Sequence, residues 1–321
     1  MRLLIVGVLA AVTAAGLALI RPAVLTEEER TTALAIREQR MRADIRFLSG
    51  ARLEGQEAAV GEDRLTRRYV ASRFEAIGLE PMGGAWEQPF DIVGVVGLLR
   101  GRDAELAKEA VVYTARLRGR SANGDSTARV DGLEVSGRAA LLAIAEAFAG
   151  ARERPRRSVL FAAVAGERLG SEPLATQPPV ARIVADLRLD VMNVRGRRSG
   201  VPVVSDGRTS IDDWFRAVAE AQGRTLLPEA LPRARAGGQG RVASSPAGVP
   251  TVFIDPGRDG LGEPSDRPLA DPSSWDLSGA VEDARLLFLV GTKVADAPLA
   301  PRWRSGGEVE AVERTTVARG R

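Results

Sequence analysis

Helical and extended hydrophobic patterns alternate along this chain of 321 residues. Helices are predicted, from apolar residues at helical spacing, over 26–50, 63–77, 135–148, 211–221 and 277–294. Strands are predicted, from short apolar runs rich in β-branched residues, over 92–99, 110–117, 158–164, 183–192, 201–204 and 249–254. Strands that alternate with helices are typical of an α/β fold. We therefore predict a three-layer sandwich with a mixed, largely parallel central sheet flanked by helices.

Two details of the pattern bear on the topology and the domain boundaries. The strands over 92–99 and 110–117 are separated by a polar turn, so we predict that they are neighbours in the sheet. One domain is expected over 25–300, because the length suits a single substantial core. The polar segment 301–321 is predicted to be a C-terminal tail.

Residues 1–24 have the pattern of a targeting signal. Leu3–Ile20 is an apolar run with Thr13 as its one polar member, and Arg21 and Pro22 follow it. At about 1.5 Å per residue, a helix of that length just spans a bilayer core. The run exceeds the roughly 7–15 residues usual in a signal peptide, and its end is a poor cleavage site. An uncleaved membrane anchor, a cleaved signal peptide and a buried core helix all stay open. The first two imply export to the periplasm or the cell exterior.

The composition excludes several classes of chemistry. The chain has no histidine and no cysteine, so Ser-His-Asp triads, Cys-His pairs, disulfides and His- or Cys-ligated metal sites are impossible. The net charge is only +3 and aromatic residues make up 4%. A nucleic-acid surface needs concentrated basic side chains, and single-strand binding also needs stacking rings. We therefore expect no nucleic-acid partner.

The order of five stretches resembles the zinc aminopeptidases of family M28, the bacterial leucyl aminopeptidase-like metallopeptidases. The stretches are Arg42–Ser49, Tyr69–Pro81, Val111–Ala115, Val180–Asp190 and Asp276–Phe288. The resemblance extends over 41–303 and implies the zinc-exopeptidase-like α/β fold. It also implies a site in which two zinc ions share a bridging Asp, beside a Glu that takes a proton from the metal-bound water.

The family's site residues can be carried over to this sequence position by position. The general base falls on Glu167, and one metal ligand falls on Asp190. The other ligand positions fall on residues of unsuitable chemistry: Arg116, Leu133, Arg168 and Gly262. Arg118 stands where the family has the Asp that orients its first His. The Ser-Gly pair that opens the next helix in the family is retained as Ser136 and Gly137.

These replacements favour an exported protein with the aminopeptidase fold that has lost its zinc ions and its catalysis, and that needs no cofactor. On this interpretation a peptide or another anionic small ligand binds to three arginines: Arg116, Arg118 and Arg168. We expect Arg116 or Arg168 to lie within ion-pair distance of a carboxylate, either Asp190 or Glu167.

The alternative is an active metal-dependent aminopeptidase with an atypical metal site. Its metal would be held by carboxylates alone, drawn from Asp125, Asp131, Glu134, Glu167 and Asp190. Oxygen-only sites suit Ca²⁺ or Mg²⁺ rather than zinc, and such a site would polarise water less strongly.

Overall fold

The computed structural model of this chain describes residues 25–50, 56–89, 93–117, 133–164, 180–204, 209–227, 249–254 and 271–304. The predicted targeting segment 1–24 lies outside these residues. None of the helices in the described ranges has the length and apolar character needed to cross a bilayer.

A mixed sheet forms the centre of the described structure. Its strands are β1 Glu80–Pro81, β2 Glu87–Pro89, β3 Val93–Leu99, β4 Glu109–Arg116, β5 Ser158–Val164, β6 Arg182–Arg188, β7 Gly200–Val204, β8 Thr225–Leu227 and β9 Thr251–Ile254. Their spatial order is β1-β3-β5-β4-β6-β9-β7-β8, with β2 also paired to β3. The central strands β5, β4, β6 and β9 are parallel to one another, while β3 and β7 join them antiparallel. The predicted mixed, largely parallel α/β sheet is confirmed.

Strands β3 and β4 are not neighbours, so the predicted pairing of 92–99 with 110–117 is wrong. β5 lies between them and pairs with β3 on one edge and β4 on the other. Every residue of β5 is buried, and its backbone donors and acceptors therefore need strand partners on both edges. The turn after β3 crosses the start of β5 closely: a Cβ on Gly101 would lie 2.2 Å from the carbonyl oxygen of Arg156.

The helices are α1 Glu27–Ala33, α2 Glu38–Gly50, α3 Gln56–Ala76, α4 Glu134–Ala149, α5 Ile211–Ala221 and α6 Ser278–Asp296. The helix predicted over 26–50 is divided into α1 and α2. Ile36 lies fully buried in the break, and its carbonyl oxygen accepts hydrogen bonds from Arg285 Nε (3.2 Å) and Nη2 (2.8 Å). Tertiary contacts thus interrupt a continuous helical pattern.

The core has two parts, one on each face of the sheet. The larger part includes α4 and α6, and Phe148 of α4 packs between the rings of Tyr113, Phe161 and Phe288. The smaller part contains, among the described residues, no α-helical side chain. Strand alternation sends Val111, Tyr113 and Ala115 of β4 to the larger part and Val112 to the smaller,.

The segment after α6 packs against α5. The Ser210 N–H donates to the carbonyl oxygen of Arg302 at 2.9 Å, and the Arg302 N–H donates to Ser210 Oγ at 3.0 Å. Arg304 Nη2 lies 2.6 Å from Asp213 Oδ2. Residues 301–304, which the sequence assigns to the tail, therefore contact the domain.

Candidate functional site

The carboxyl ends of β4 and β6 meet at one edge of the sheet. The strands are parallel, and Thr114 is paired with Arg188. The Leu189 N–H donates to the carbonyl oxygen of Thr114 at 2.8 Å, which continues the pairing beyond the end of β6. Arg116 and Asp190 each follow this pair by two residues and therefore lie side by side. In open α/β sheets this edge is where ligands bind.

Arg116 and Asp190 form an ion pair. Arg116 Nε lies 3.5 Å from Asp190 Oδ1, and the two side chains are 14% and 32% exposed. The separation exceeds the usual N–H···O hydrogen-bond distance, and the buried Asp190 Oδ1 has no hydrogen-bond partner among the described residues. The expected proximity of an arginine to the retained carboxylate is present. Its role in binding stays a prediction.

A second carboxylate, Asp186, lies beneath this pair in the middle of β6. It is fully buried, accepts a hydrogen bond from Thr114 Oγ1 at 2.9 Å and lies 3.5 Å from Arg188 Nε. Burial raises the pKa of Asp186, and the nearby Arg188 and the Thr114 hydrogen bond offset only part of that rise. Sequence reasoning missed this residue. The available signal was an acidic side chain inside an otherwise apolar strand.

Arg138, on α4, fixes the end of β4. It is buried, and its Nη1 donates to the carbonyl oxygens of Arg116 at 3.0 Å and Leu117 at 2.8 Å. With Arg116 and Arg188 it brings three guanidinium groups to the strand ends, against the carboxylates of Asp186 and Asp190. Arginine is always charged in proteins, so fixed positive charges lie beside the carboxylates of this edge, to which Glu134 in the first turn of α4 adds another.

The retained Ser136 and Gly137 join the start of α4 to the segment after β6. Ser136 Oγ accepts a hydrogen bond from the Met192 N–H at 2.9 Å and donates one to the carbonyl oxygen of Leu133. A Cβ on Gly137 would lie 1.8 Å from the carbonyl oxygen of Leu189. This pair is therefore required by backbone packing, independently of any metal. Leu133, at the family's bridging-ligand position, lies at the N-cap of α4.

Several sequence-predicted site residues lie outside the described residues: Arg118, Asp125, Asp131, Glu167, Arg168 and Gly262. Their placement therefore stays a prediction. Within the described ranges, no group of three or more His, Cys, Asp or Glu side chains could hold a metal ion.

The described residues do not fit the two zinc ions that the family resemblance implies. Zinc binds lone-pair donors from Cys, His, Asp and Glu. Arg116 instead places a permanent cation beside the retained carboxylate, Asp190, and Leu133 offers an apolar side chain.

Comparison with known proteins identifies the family. Residues 131–277 match the model of peptidase family M28. This segment belongs to peptidase family M28. It includes Asp190 and the Ser136-Gly137 pair, and it begins after Arg116. The predicted family is confirmed, while the predicted loss of most metal ligands stays a prediction. If this protein is active, the family implies a hydrolase. No functionally curated protein matches the sequence.

Solved structures share the M28 fold at low sequence identity. LapB from Legionella pneumophila aligns with a TM-score of 0.61 and 12% identity over 86% of this chain and 77% of that chain. The LapA aminopeptidase of the same organism aligns with a TM-score of 0.57 and 12% identity over 87% and 77%. Glutaminyl cyclase from Fimbriiglobus ruber aligns with a TM-score of 0.54 and 13% identity over 80% and 95%. These similarities confirm the zinc-exopeptidase-like fold but show no activity or ligand.

Proposed function

We propose that this peptidase-like protein is a non-catalytic M28 relative that binds the anionic group of a peptide, or of a similar small ligand, beside Arg116. The observation that carries the proposal is the Arg116–Asp190 pair, 3.5 Å apart at the carboxyl edge of the sheet. Arg116 falls on a position that the family resemblance assigns to a zinc ligand. A guanidinium there supplies fixed positive charge where the family holds metal cations.

The geometry of Arg116 suits an anion. Its Nε faces Asp190, and its two terminal nitrogens have no hydrogen-bond partner among the described residues. The side chain is 14% exposed, so a carboxylate that pairs with it would be partly desolvated and attracted more strongly than in water. The guanidinium fork matches a carboxylate in a bidentate arrangement. Arg118 and Arg168 are proposed to contribute further positive charge.

Binding can be tested with the purified full-length chain and a short peptide, titrated by isothermal calorimetry. A free C-terminal carboxylate should bind at least about tenfold more tightly than the C-terminal amide, because a charge-assisted hydrogen bond is lost. Arg116→Gln should remove this preference. Arg67→Gln is the matched control, because Arg67 is also 14% exposed and ion-paired, to Glu87 at 3.2 Å. Unchanged binding by Arg116→Gln would refute the proposal.

Catalysis is tested separately with leucine p-nitroanilide in the presence of Zn²⁺, Mg²⁺ or Ca²⁺. We expect no metal-dependent hydrolysis and no change of the melting temperature with EDTA or added zinc, since structural metal normally contributes folding energy. Metal-dependent hydrolysis that Asp190→Asn abolishes would instead support the alternative, an active enzyme with a carboxylate-only site.

Export is proposed from the apolar run Leu3–Ile20 alone,. Cell fractionation should place the full-length chain with the membrane or outside the cytoplasm, and a chain that lacks residues 1–23 in the cytoplasm. Recovery of the intact full-length chain from the cytosol would contradict export.

A further inference from the structure

A cavity lies at the opposite, amino-terminal edge of the sheet. Its volume is about 290 Å³, and its lining includes Leu106, Glu109, Arg157, Arg182, Leu299 and Arg302. Glu109 begins β4 and Arg116 ends it. At about 3.3 Å per residue the cavity is therefore roughly 23 Å from the candidate site. The two places share no described side chain.

The floor of the cavity is an ion pair between a buried arginine and a partly buried carboxylate. Arg157 is 1% exposed, and its Nε donates to Glu109 Oε2 at 2.8 Å. Its Nη1 donates to the carbonyl oxygens of Val294, at 3.1 Å, and Ala297 at the end of α6. Cationic side chains commonly satisfy the last carbonyls of a helix in this way. The floor is thus held in place by α6 and β4 together.

The rim of the cavity carries more positive charge than the described lining residues neutralise. Arg182 is 60% exposed, and its Nη2 donates a hydrogen bond to Glu109 Oε1. The Arg302 backbone is bonded to Ser210, while its guanidinium makes no hydrogen bond or ion pair with described residues. One carboxylate, Glu109, therefore faces three guanidinium groups. Partial burial acts to raise the pKa of Glu109, but the hydrogen bonds from Arg157 and Arg182 outweigh it and lower that pKa.

One wall of the cavity is apolar. Leu106 lines it from the short helix before β4, and Leu299 lines it from the segment after α6, where two prolines, Pro298 and Pro301, also contribute. Leu299 is half exposed, so its side chain is available to a ligand. An apolar wall beside Arg302, whose guanidinium has no ion-pair partner among the described residues, fits an anion with an aliphatic body.

We infer that this cavity binds a small aliphatic monocarboxylate. Arg302 and Arg182 would receive the carboxylate, and Leu106 and Leu299 would contact the aliphatic chain. The volume, about 290 Å³, is just below the usual lower limit for ligand pockets of about 300 Å³, so the ligand is small. The apolar wall of Leu106 and Leu299 offers no hydrogen-bond donor to the further oxygens of a phosphate, which would be desolvated there without partners, and this disfavours phosphate.

The ligand class is tested by calorimetric titration of the full-length chain at neutral pH with 4-methylpentanoate. Three probes separate the contributions: 4-methylpentanamide lacks the charge, acetate lacks the aliphatic body, and inorganic phosphate has a higher charge. We expect saturable binding of 4-methylpentanoate and at least about tenfold weaker binding of each of the others. Equal binding of the amide, or tighter binding of phosphate, would overturn the inference.

The site is tested with variants that leave the fold intact. Arg302→Gln should weaken 4-methylpentanoate binding by at least about tenfold. Arg304→Gln is the matched control, because Arg304 lies in the same segment, is paired with Asp213 and is absent from the cavity lining. Leu299→Ser should weaken 4-methylpentanoate binding but not acetate binding. Equal affinities of Arg302→Gln and the unaltered chain would place the ligand elsewhere and overturn the assignment.

Discussion

Gly137 and Leu189 approach so closely that a Cβ on Gly137 would lie 1.8 Å from the Leu189 carbonyl oxygen. The same Cβ would lie 2.7 Å from the carbonyl oxygen of Asp190. Both contacts are with backbone, which cannot rotate away as a side chain can. Glycine at this position is therefore what lets α4 begin against the exit of β6, and it also sets the position of Asp190 relative to α4.

Gly137→Ala should destabilise the domain strongly. The added methyl group must displace either the first turn of α4 or the segment after β6, and overpacking of this kind costs about 1–3 kcal/mol or more. The free energy of unfolding, from urea denaturation, measures the loss. Gly150→Ala is a control at the other end of α4, where a Cβ would lie 3.3 Å from the nearest atom, the carbonyl oxygen of Glu146. Equal losses in both variants would contradict the close approach.

The hydrophobic pattern predicted correctly the strands and helices that depend on neighbouring residues in the sequence. The apolar run 158–164 and the amphipathic segment 211–221 were both predicted with the bounds that β5 and α5 have. Contacts between residues far apart in the sequence determine the features that the hydrophobic pattern did not predict. The bond from Arg285 to the carbonyl of Ile36 divides the first helix, and the position of β5 between β3 and β4 depends on pairing across the sheet.

The candidate site could likewise be predicted only in part. Arg116 and Asp190 follow strands that a sequence pattern identifies, and parallel pairing then brings them together. Asp186 and Arg138 were not predicted, because their roles depend on the register of β4 with β6 and on how α4 packs at the end of β4. Neither relationship is encoded by spacing along the chain.

The buried Asp186 should make stability fall as pH rises. Burial raises its pKa in the folded state, so between the unfolded-state pKa and the raised value the native state binds more protons than the unfolded state. The free energy of unfolding therefore decreases with rising pH in this window. Asp186→Asn does not titrate there. Its stability relative to the unaltered chain should rise from pH 3 towards neutral pH, as urea denaturation at several pH values can measure. If the stability of Asp186→Asn relative to the unaltered chain falls as pH rises, the raised pKa is contradicted.

Asp103 should behave in the opposite way. Hydrogen bonds from the Leu106 N–H, the Arg156 side chain and the Glu105 N–H lower its pKa to about 2. A lowered pKa stabilises the fold above the unfolded-state value, and this contribution is lost as pH falls from about 4 to about 2. Asp103→Asn should therefore reduce the free energy of unfolding at neutral pH, and the difference should shrink at the acidic end. A constant difference would mean that the carboxylate charge is irrelevant.

Restoring the family's ligand types should not restore a working zinc site. The variant combines Arg116→His, Leu133→Asp, Arg168→Glu and Gly262→His. Arg138 would still hold its guanidinium on the carbonyl of residue 116, at 3.0 Å, and Arg118 would still occupy the position that orients the first His. Groups that orient ligands typically change metal affinity by about 10–100-fold.

We therefore expect weak zinc binding by calorimetry and little hydrolysis of leucine p-nitroanilide from this fourfold variant. Adding Arg118→Asp should tighten zinc binding by about tenfold or more, because a carboxylate that accepts a hydrogen bond from the new His can hold its ring in the orientation that binds the metal. Adding Arg195→Asp, at an exposed position after β6, controls for the change of charge alone. Tight zinc binding and rapid turnover by the fourfold variant itself would show that the orienting residue is not what limits this site.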